Sequence, residues 1–241
     1  MSRSLQSAFQ TGEFVTILEV VPPAGPEAGP VLAVLRQVAQ LPFHGFTVAT
    51  NPVAKARMSA LALCALIQQQ IGRPATLHCT TRDHNRLSLQ GLLWGALALG
   101  IESVLCTTGD YVAAAQHGLI RDCKDQRTSA VRDVDVFALV RMARETGSCT
   151  GVVLDPWPEA GRLDHAIRRL EKKVEAGAQY VITQPVYSEE AASELREATG
   201  HLDLPVILGI LPLRTSRHAR FLDTKVAGIV VPEHVCQRME E

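Results

Sequence analysis

Seven short runs of apolar, often β-branched residues punctuate the chain, at 14–21, 45–50, 75–80, 103–107, 150–154, 180–184 and 205–210. Between them lie longer stretches whose apolar residues recur at spacings of three and four. Examples are "VLAVLRQVAQL", "MSALALCALIQQQIG", "RLSLQGLLWGALALG", "DVFALVRMARETG" and "RLDHAIRRLEKKVEAGA". The first pattern predicts strands and the second amphipathic helices. Gly72, Gly100, Gly147 and Gly177 each stand at the end of a helical stretch, just before the next strand, as a C-terminal cap does. Strand–helix alternation with nearly continuous apolar strands predicts a parallel sheet with helices outside it.

Seven such units favour a (β/α)8 barrel of the TIM type over an open doubly wound sheet. The eighth unit is the difficulty. "VAGIVVPEHV", near the end, has the composition of a strand but runs into Pro232, and too little sequence follows for a helix of its own. The expectation is a barrel short of its last β/α unit. No linker, low-complexity tract or repeat divides the sequence, so residues 1–241 read as a single domain.

Composition narrows the function classes. A net charge of −1 leaves no electrostatic footprint for nucleic acid or an anionic membrane. The six cysteines lack CxxC spacing, which suits reduced thiols in a cytosolic protein better than a disulfide framework or a zinc site. "MSRSLQSAFQTGEF" has no apolar core of a signal peptide, and no run reaches the ~18 apolar residues of a membrane span. The expected location is therefore cytoplasmic. The longest apolar window, "GLLWGALALG", reads as a buried helix. Neither GxGxxG nor GxxxxGK occurs, which argues against a Rossmann or P-loop site, and no cluster has metal-ligand spacing.

Polar residues gather where the strands end. Glu19 is followed by "VVPP"; Thr47 and Asn51 lie at the second strand; His78, Thr80, Thr81 and Arg82 at the third. Thr108, Gly109 and Asp110 follow the fourth, Asp155 the fifth, and Thr183 and Gln184 close the sixth. In a barrel these ends converge on one face. Each residue also has a plain structural reading. Asp110 after Gly109 suits a turn, His78 a satisfied core histidine, "RDHNR" a helix cap through Asp83 or Asn85, and "RRLEKKVEAG" a solvated helix face. Glu19 is the hardest to explain away. It lies between Leu18 and Val20, where desolvation raises a carboxyl pKa toward the range of a general acid.

Together, "ILEVVPP", "TVATNPVAKARMS", "LHCTTRDHNRLSLQGLLWGALALGIESVLCTTGD", "KKVEAGAQYVITQPVY" and "VILGILPL" resemble the methylenetetrahydrofolate reductase family. They cover nearly the whole chain in family order, and "KVEAGAQYVITQ" is the most specific piece. The resemblance implies a flavin, FAD in preference to FMN, held non-covalently on a (β/α)8 barrel. It also implies reduction of 5,10-methylenetetrahydrofolate to 5-methyltetrahydrofolate, with NAD(P)H as a possible electron donor. On that resemblance Glu19 matches the proton donor that opens the substrate's five-membered ring. Asp110 matches the aspartate that steadies the cationic intermediate and contacts the pterin, and Gln184 a glutamine touching folate and nicotinamide. Thr47, His78, Gly109 and Lys173 match flavin-site positions, Lys173 near the diphosphate.

Three departures stand out. Thr108 replaces the arginine that many members carry before Gly-Asp, leaving a hydroxyl or backbone contact to the flavin. Asp155 replaces an aromatic residue or asparagine, and His218 a folate-binding glutamine. The missing eighth unit leaves three readings open: a natural short form, a barrel closed by a partner, or a sequence lacking its last part. If the chain ends at Glu241, strands one and seven have exposed edges and a homo-oligomer or a partner subunit is expected. An alternative is a flavin-binding subunit active only with a partner that supplies electrons or closes the barrel. No metal, nucleic acid or membrane is expected.

Overall fold

The computed structural model describes residues 5–110, 130–155, 163–226 and 229–240. The chain divides into two compact units, Met1–Thr150 and Gly151–Glu241.

In the first unit, strands β1 (Ile17–Val20), β2 (Gly45–Val48), β3 (Ala75–Thr80) and β4 (Ser103–Thr107) pair in sequence order, all parallel. The helices are α1 (Leu5–Gln10), α2 (Gly29–Val38), α3 (Ala60–Ile71), α4 (Arg86–Ala98) and α5 (Val136–Glu145). Strand β5 (Cys149–Leu154) begins beside β4: the Cys149 N–H donates to Glu102 O at 2.8 Å, and Ser103 Oγ donates to Cys149 O at 3.3 Å. In the second unit β5 pairs in parallel with β6 (Tyr180–Pro185), and β6 with β7 (Val206–Gly209). Helices α6 (Leu163–Glu175), α7 (Glu189–Thr199), α8 (Ser216–Lys225) and α9 (Glu233–Arg238) complete it.

Seven parallel strands, ordered as in the sequence with helices following them, make the α/β pattern that the hydrophobic periodicity predicts. Gly72, Gly100, Gly147 and Gly177 all have positive φ, as helix-terminating glycines require. Asn85 caps α4 through Ser88 N–H, and Asp135 caps α5 through Ala138 N–H.

Two expectations change. "GLLWGALALG" is buried on one face only: Leu89, Leu93 and Ala96 of α4 are fully buried, but Trp94 is 63% exposed. "VAGIVVPEHV" forms no strand among its described residues. Ile229 and Val231 instead pack with Ala219, Leu222 and Cys236, as the apolar centre under α8 and α9. Val231 N–H donates to Asp223 Oδ1, and Pro232 has no N–H to give, so this backbone is committed away from a ladder.

Parallel pairing puts residues in register on the same face. Glu19 aligns with Thr47, Thr47 with Thr76, and Thr76 with Ser103; His78 aligns with Leu105 and Thr80 with Thr107. One face of β1–β4 is thus rich in hydroxyl, imidazole and carboxyl groups. The other carries Val20, Phe46, Val48, Leu77, Cys79, Val104 and Cys106, all buried. Helix α3 packs against β2 and β3, and burial, with nearby Cys79 adding to it, raises the pKa of its Cys64 thiol. Burial pushes Cys79 up to about 12. Cys123 lies outside the described residues; the other five cysteines are buried, in keeping with structural thiols.

Candidate functional site

The polar face leads to a cluster at the C-terminal ends of β1–β4. Thr47, 3% exposed, places its hydroxyl 2.6 Å from His78 Nε2, and Thr50 Oγ1 donates to His78 O at 2.6 Å. Desolvation lowers the His78 pKa to about 4, so the ring is neutral at neutral pH and offers one donor and one acceptor. Solvent reaches Glu19, yet protein crowds it closely enough that desolvation raises its pKa, and the charge of Asp110 raises it further. Glu19 and Asp110 are therefore electrostatic neighbours although 91 positions separate them in the chain.

Asp110 is tied to the loop after β2: its carboxylate accepts the Val53 N–H. That loop has unusual backbone geometry. Asn51, Val53 and Ala54 have φ of 42°, 51° and 55°, and a β-branched residue such as Val53 rarely adopts a positive φ. Such conformations persist where surrounding contacts over-determine them.

Arg82 makes one of those contacts and braces the groups that make others. Its side chain is buried and forms a fork with Asp83, Nε to Oδ1 at 2.6 Å and Nη2 to Oδ2 at 2.8 Å. The same guanidinium donates to Asp110 O at 3.2 Å and to Asn51 O at 3.0 Å. Asn51 Nδ2 also donates to Asp83. Burial opposes the Asp83 charge, but hydrogen bonds from Arg82 and Asn51 outweigh it and hold its pKa below the usual range. Arg82 thus fastens the ends of β2 and β4 to the end of β3.

Gly109 completes this joint. Its φ is +81°, and a Cβ there would come within 2.3 Å of Thr80 Oγ1 and 2.9 Å of Arg82 Cβ. Thr108 is exposed, and its carbonyl accepts a long bond from Thr81 Oγ1. "TTGD" is therefore more than a turn: the glycine lets β4's end approach Arg82, and the aspartate locks the facing loop.

The structure brings Glu19, Thr47, His78, Thr108, Gly109 and Asp110 to the strand ends of the first unit. Lys173, Gln184 and His218 belong to the second. Lys173, on α6, donates from Nζ to Val153 O at 2.6 Å. Gln184 lies within an irregularity in the β6–β7 register, between Ile182 and Pro185, where Thr183 Oγ1 donates to Gln184 O and accepts Gly209 N–H. Strand bulges of this kind re-aim side chains next to sites. His218 accepts Arg214 N–H at the start of α8. Sequence reasoning left Asn51 and Arg82 without a role. The available signal was "TRD" directly after a strand: an arginine that reaches the neighbouring strand ends with its own aspartate beside it.

No group of three or more His, Cys, Asp or Glu among the described residues has metal-binding geometry, and no described helix is long and apolar enough to cross a membrane.

Residues 4–241 match the family model described as methylenetetrahydrofolate reductase. "Methylenetetrahydrofolate reductase 2" of Schizosaccharomyces pombe is 25% identical over 197 residues, covering 75% of this chain and 29% of its own length. A "probable methylenetetrahydrofolate reductase (NADPH)" of Caenorhabditis elegans is 24% identical over 189 residues, covering 76% and 27%. The chain thus spans less than a third of the length of these curated relatives. Among solved structures, an uncharacterized Clostridium thermocellum protein that binds two copies of 5-methyl-5,6,7,8-tetrahydrofolic acid superposes with a TM-score of 0.67 at 15% identity, over 98% of this chain and 79% of that one. Oxaloacetate acetylhydrolase superposes at 0.61 with 14% identity, over 95% and 77%. At such identities the likeness establishes the fold alone. The family match spans almost the whole sequence, and the chain belongs to the methylenetetrahydrofolate reductase family.

Proposed function

We propose that this protein reduces 5,10-methylenetetrahydrofolate to 5-methyltetrahydrofolate with a bound flavin, FAD in preference to FMN, on a TIM-type barrel short of one β/α unit. The observation that carries the reading is Glu19, whose pKa is raised, beside Asp110 and on the same face as neutral His78. Family membership supports it. The NADPH in the worm relative's name suggests NAD(P)H as electron donor, and the methyltetrahydrofolate bound by the Clostridium protein fits the same substrate class.

The donor set suits a flavin. Thr47, Thr80 and neutral His78 offer uncharged hydrogen-bonding partners for a polar heteroaromatic ring, and Thr108 and Gly109 offer backbone and hydroxyl groups beside them. Lys173 is assigned to the diphosphate. Bound flavin supplies the hydride. Glu19 keeps its proton to higher pH than an ordinary carboxyl group and donates it to the substrate ring nitrogen that leaves when the five-membered ring opens. The carbon–nitrogen bond breaks toward that nitrogen and leaves a cationic iminium group on the substrate, which accepts the hydride to become the methyl group. The Asp110 carboxylate, fixed by the Val53 N–H and by the grip of Arg82 on its backbone, stabilises that cation without having to reorganise. Gln184 and His218 are assigned to folate, and Gln184 also to nicotinamide.

The test is a single chain loaded with FAD, reduced chemically under anaerobic conditions and mixed with methylenetetrahydrofolate. The reading expects formation of methyltetrahydrofolate. A chain that binds flavin yet forms none is instead the partner-dependent subunit, and one that binds no flavin overturns both readings.

A further inference from the structure

The loop from Asn51 to Arg57 leaves β2 and is held at three points. Asn51 Oδ1 accepts Arg57 N–H at 2.9 Å, Val53 N–H is held by Asp110, and Met58 N–H donates to Pro23 O at 2.9 Å. Pro23 lies just past β1, the strand of Glu19. The loop therefore runs along the rim between the two carboxylates of the site.

It carries two cations, Lys55 and Arg57, both half-buried. Among the described residues neither side chain makes a hydrogen bond or ion pair, and Arg57 Nε is buried with no acceptor there. A buried donor left unmade is costly, more so in a charged group, and native structures rarely keep one without a use. Elsewhere on this rim the chain pairs its buried charge fully: Arg82 has Asp83 and two carbonyls. The contrast lies between two arginines that touch one loop, Arg57 within it and Arg82 bonded to its Asn51, one saturated and one waiting for an acceptor.

We infer that Lys55 and Arg57 form an oxyanion subsite that takes the anionic tail of a ligand bound at Glu19 and Asp110. The Nη groups of a half-buried arginine suit the two oxygens of a carboxylate or phosphate, and the lysine adds a second, less directional positive charge. Only the identity of the tail rests on the proposed reductase function. Two sources carry such groups: the glutamate carboxylates of a folate, or the phosphates of a nicotinamide dinucleotide. The chemistry of recognition is the same.

Calorimetric titration of the flavin-loaded protein separates them. One arm compares 5-methyltetrahydrofolate bearing several glutamates with the pterin fragment lacking them. The other compares NADPH with a dihydronicotinamide lacking phosphates. Arg57→Gln should weaken the tailed member of one pair by about 10-fold or more, as for a lost charged hydrogen bond, and leave its truncated partner unchanged. Lys55→Gln should weaken it less, and Arg57→Lys should recover part of the loss. The pair that responds names the source. Because Arg57→Gln removes a half-buried charge that has no acceptor among the described residues, the thermal midpoint should hold or rise, whereas a purely structural arginine would lower it. The subsite is overturned if tailed and truncated ligands respond alike in both pairs. If only the dinucleotide pair responds and folate does not bind at all, the subsite stands and the reductase reading falls.

Discussion

The two faces of the β1–β4 sheet use the same four strands to opposite ends. On one face Phe46, Val48, Leu77, Cys79, Val104 and Cys106 are almost completely buried, and helix α3 seals β2 and β3. On the other, Glu19, Thr47, Thr76, His78 and Thr80 are spaced two apart within strands and aligned between them. A residue on the first face is chosen for volume. On the second it carries groups that donate, accept or ionise, and desolvation there shifts them: the His78 pKa is lowered to about 4 and the Glu19 pKa is raised. The same low polarity that makes one face a core gives the other the shifted groups on which the proposed chemistry rests.

That contrast can be broken from either side. The largest expected effect is on the polar face. Glu19→Gln keeps the shape and loses the proton, so steady-state folate reduction should fall about 10²–10⁴-fold, with the thermal midpoint little changed. On the apolar face Leu77→Ala should do the reverse, costing about 2–5 kcal/mol in denaturant unfolding while the turnover of folded molecules stays near normal. Gly109→Ala lies at the joint and should harm both. Its positive φ and the contact with Thr80 and Arg82 should cost about 1–3 kcal/mol in the same unfolding assay and also lower turnover, because Asp110 shifts.

The smallest effect is a pH slope. With its pKa depressed to about 4, His78 takes up a proton in the unfolded chain before the folded one. Its contribution is thus fully present above about pH 6.5 and is lost as pH falls toward 4. Glu19 has the opposite sign: its raised pKa favours folding at low pH and loses that contribution as pH rises through the folded value. In His78→Gln the stability lost between pH 7 and pH 5 should shrink by about 2 kcal/mol, measured by urea unfolding at both pH values. An unchanged slope would mean that the ring is not shielded as its contact with Thr47 implies.

Much of this was legible in the sequence. The seven strands fall where β-branched runs stand, and the four helix-ending glycines are where spacing puts them, because local periodicity and positive φ are properties of short segments. Reading the strands as nearly continuous apolar runs hid the alternation. "TLHCT" and "GFTV" already place Thr, His and Thr two apart, but only the pairing register shows that they share a face with Glu19. Strand one was drawn too long, since Phe14 is 92% exposed and the ladder begins at Ile17. Arg82 and Asn51 stayed without a role because their partners are set by tertiary approach: Asn51 meets a guanidinium 31 positions away, and Arg82 a carbonyl 28 positions away. The apolar run before Pro232 misleads by composition, which cannot tell a strand from a plug under two helices.

The account turns on Glu19 as proton donor to folate, a role in one half of the reaction only. Rapid mixing of the Glu19→Gln protein, loaded with FAD, observes the two halves separately. Reduction of the flavin by NADPH or a chemical donor should keep its wild-type rate, while reoxidation by methylenetetrahydrofolate should slow by about 10²-fold or more. Equal slowing of both halves, or a normal rate of reoxidation, would contradict the assignment.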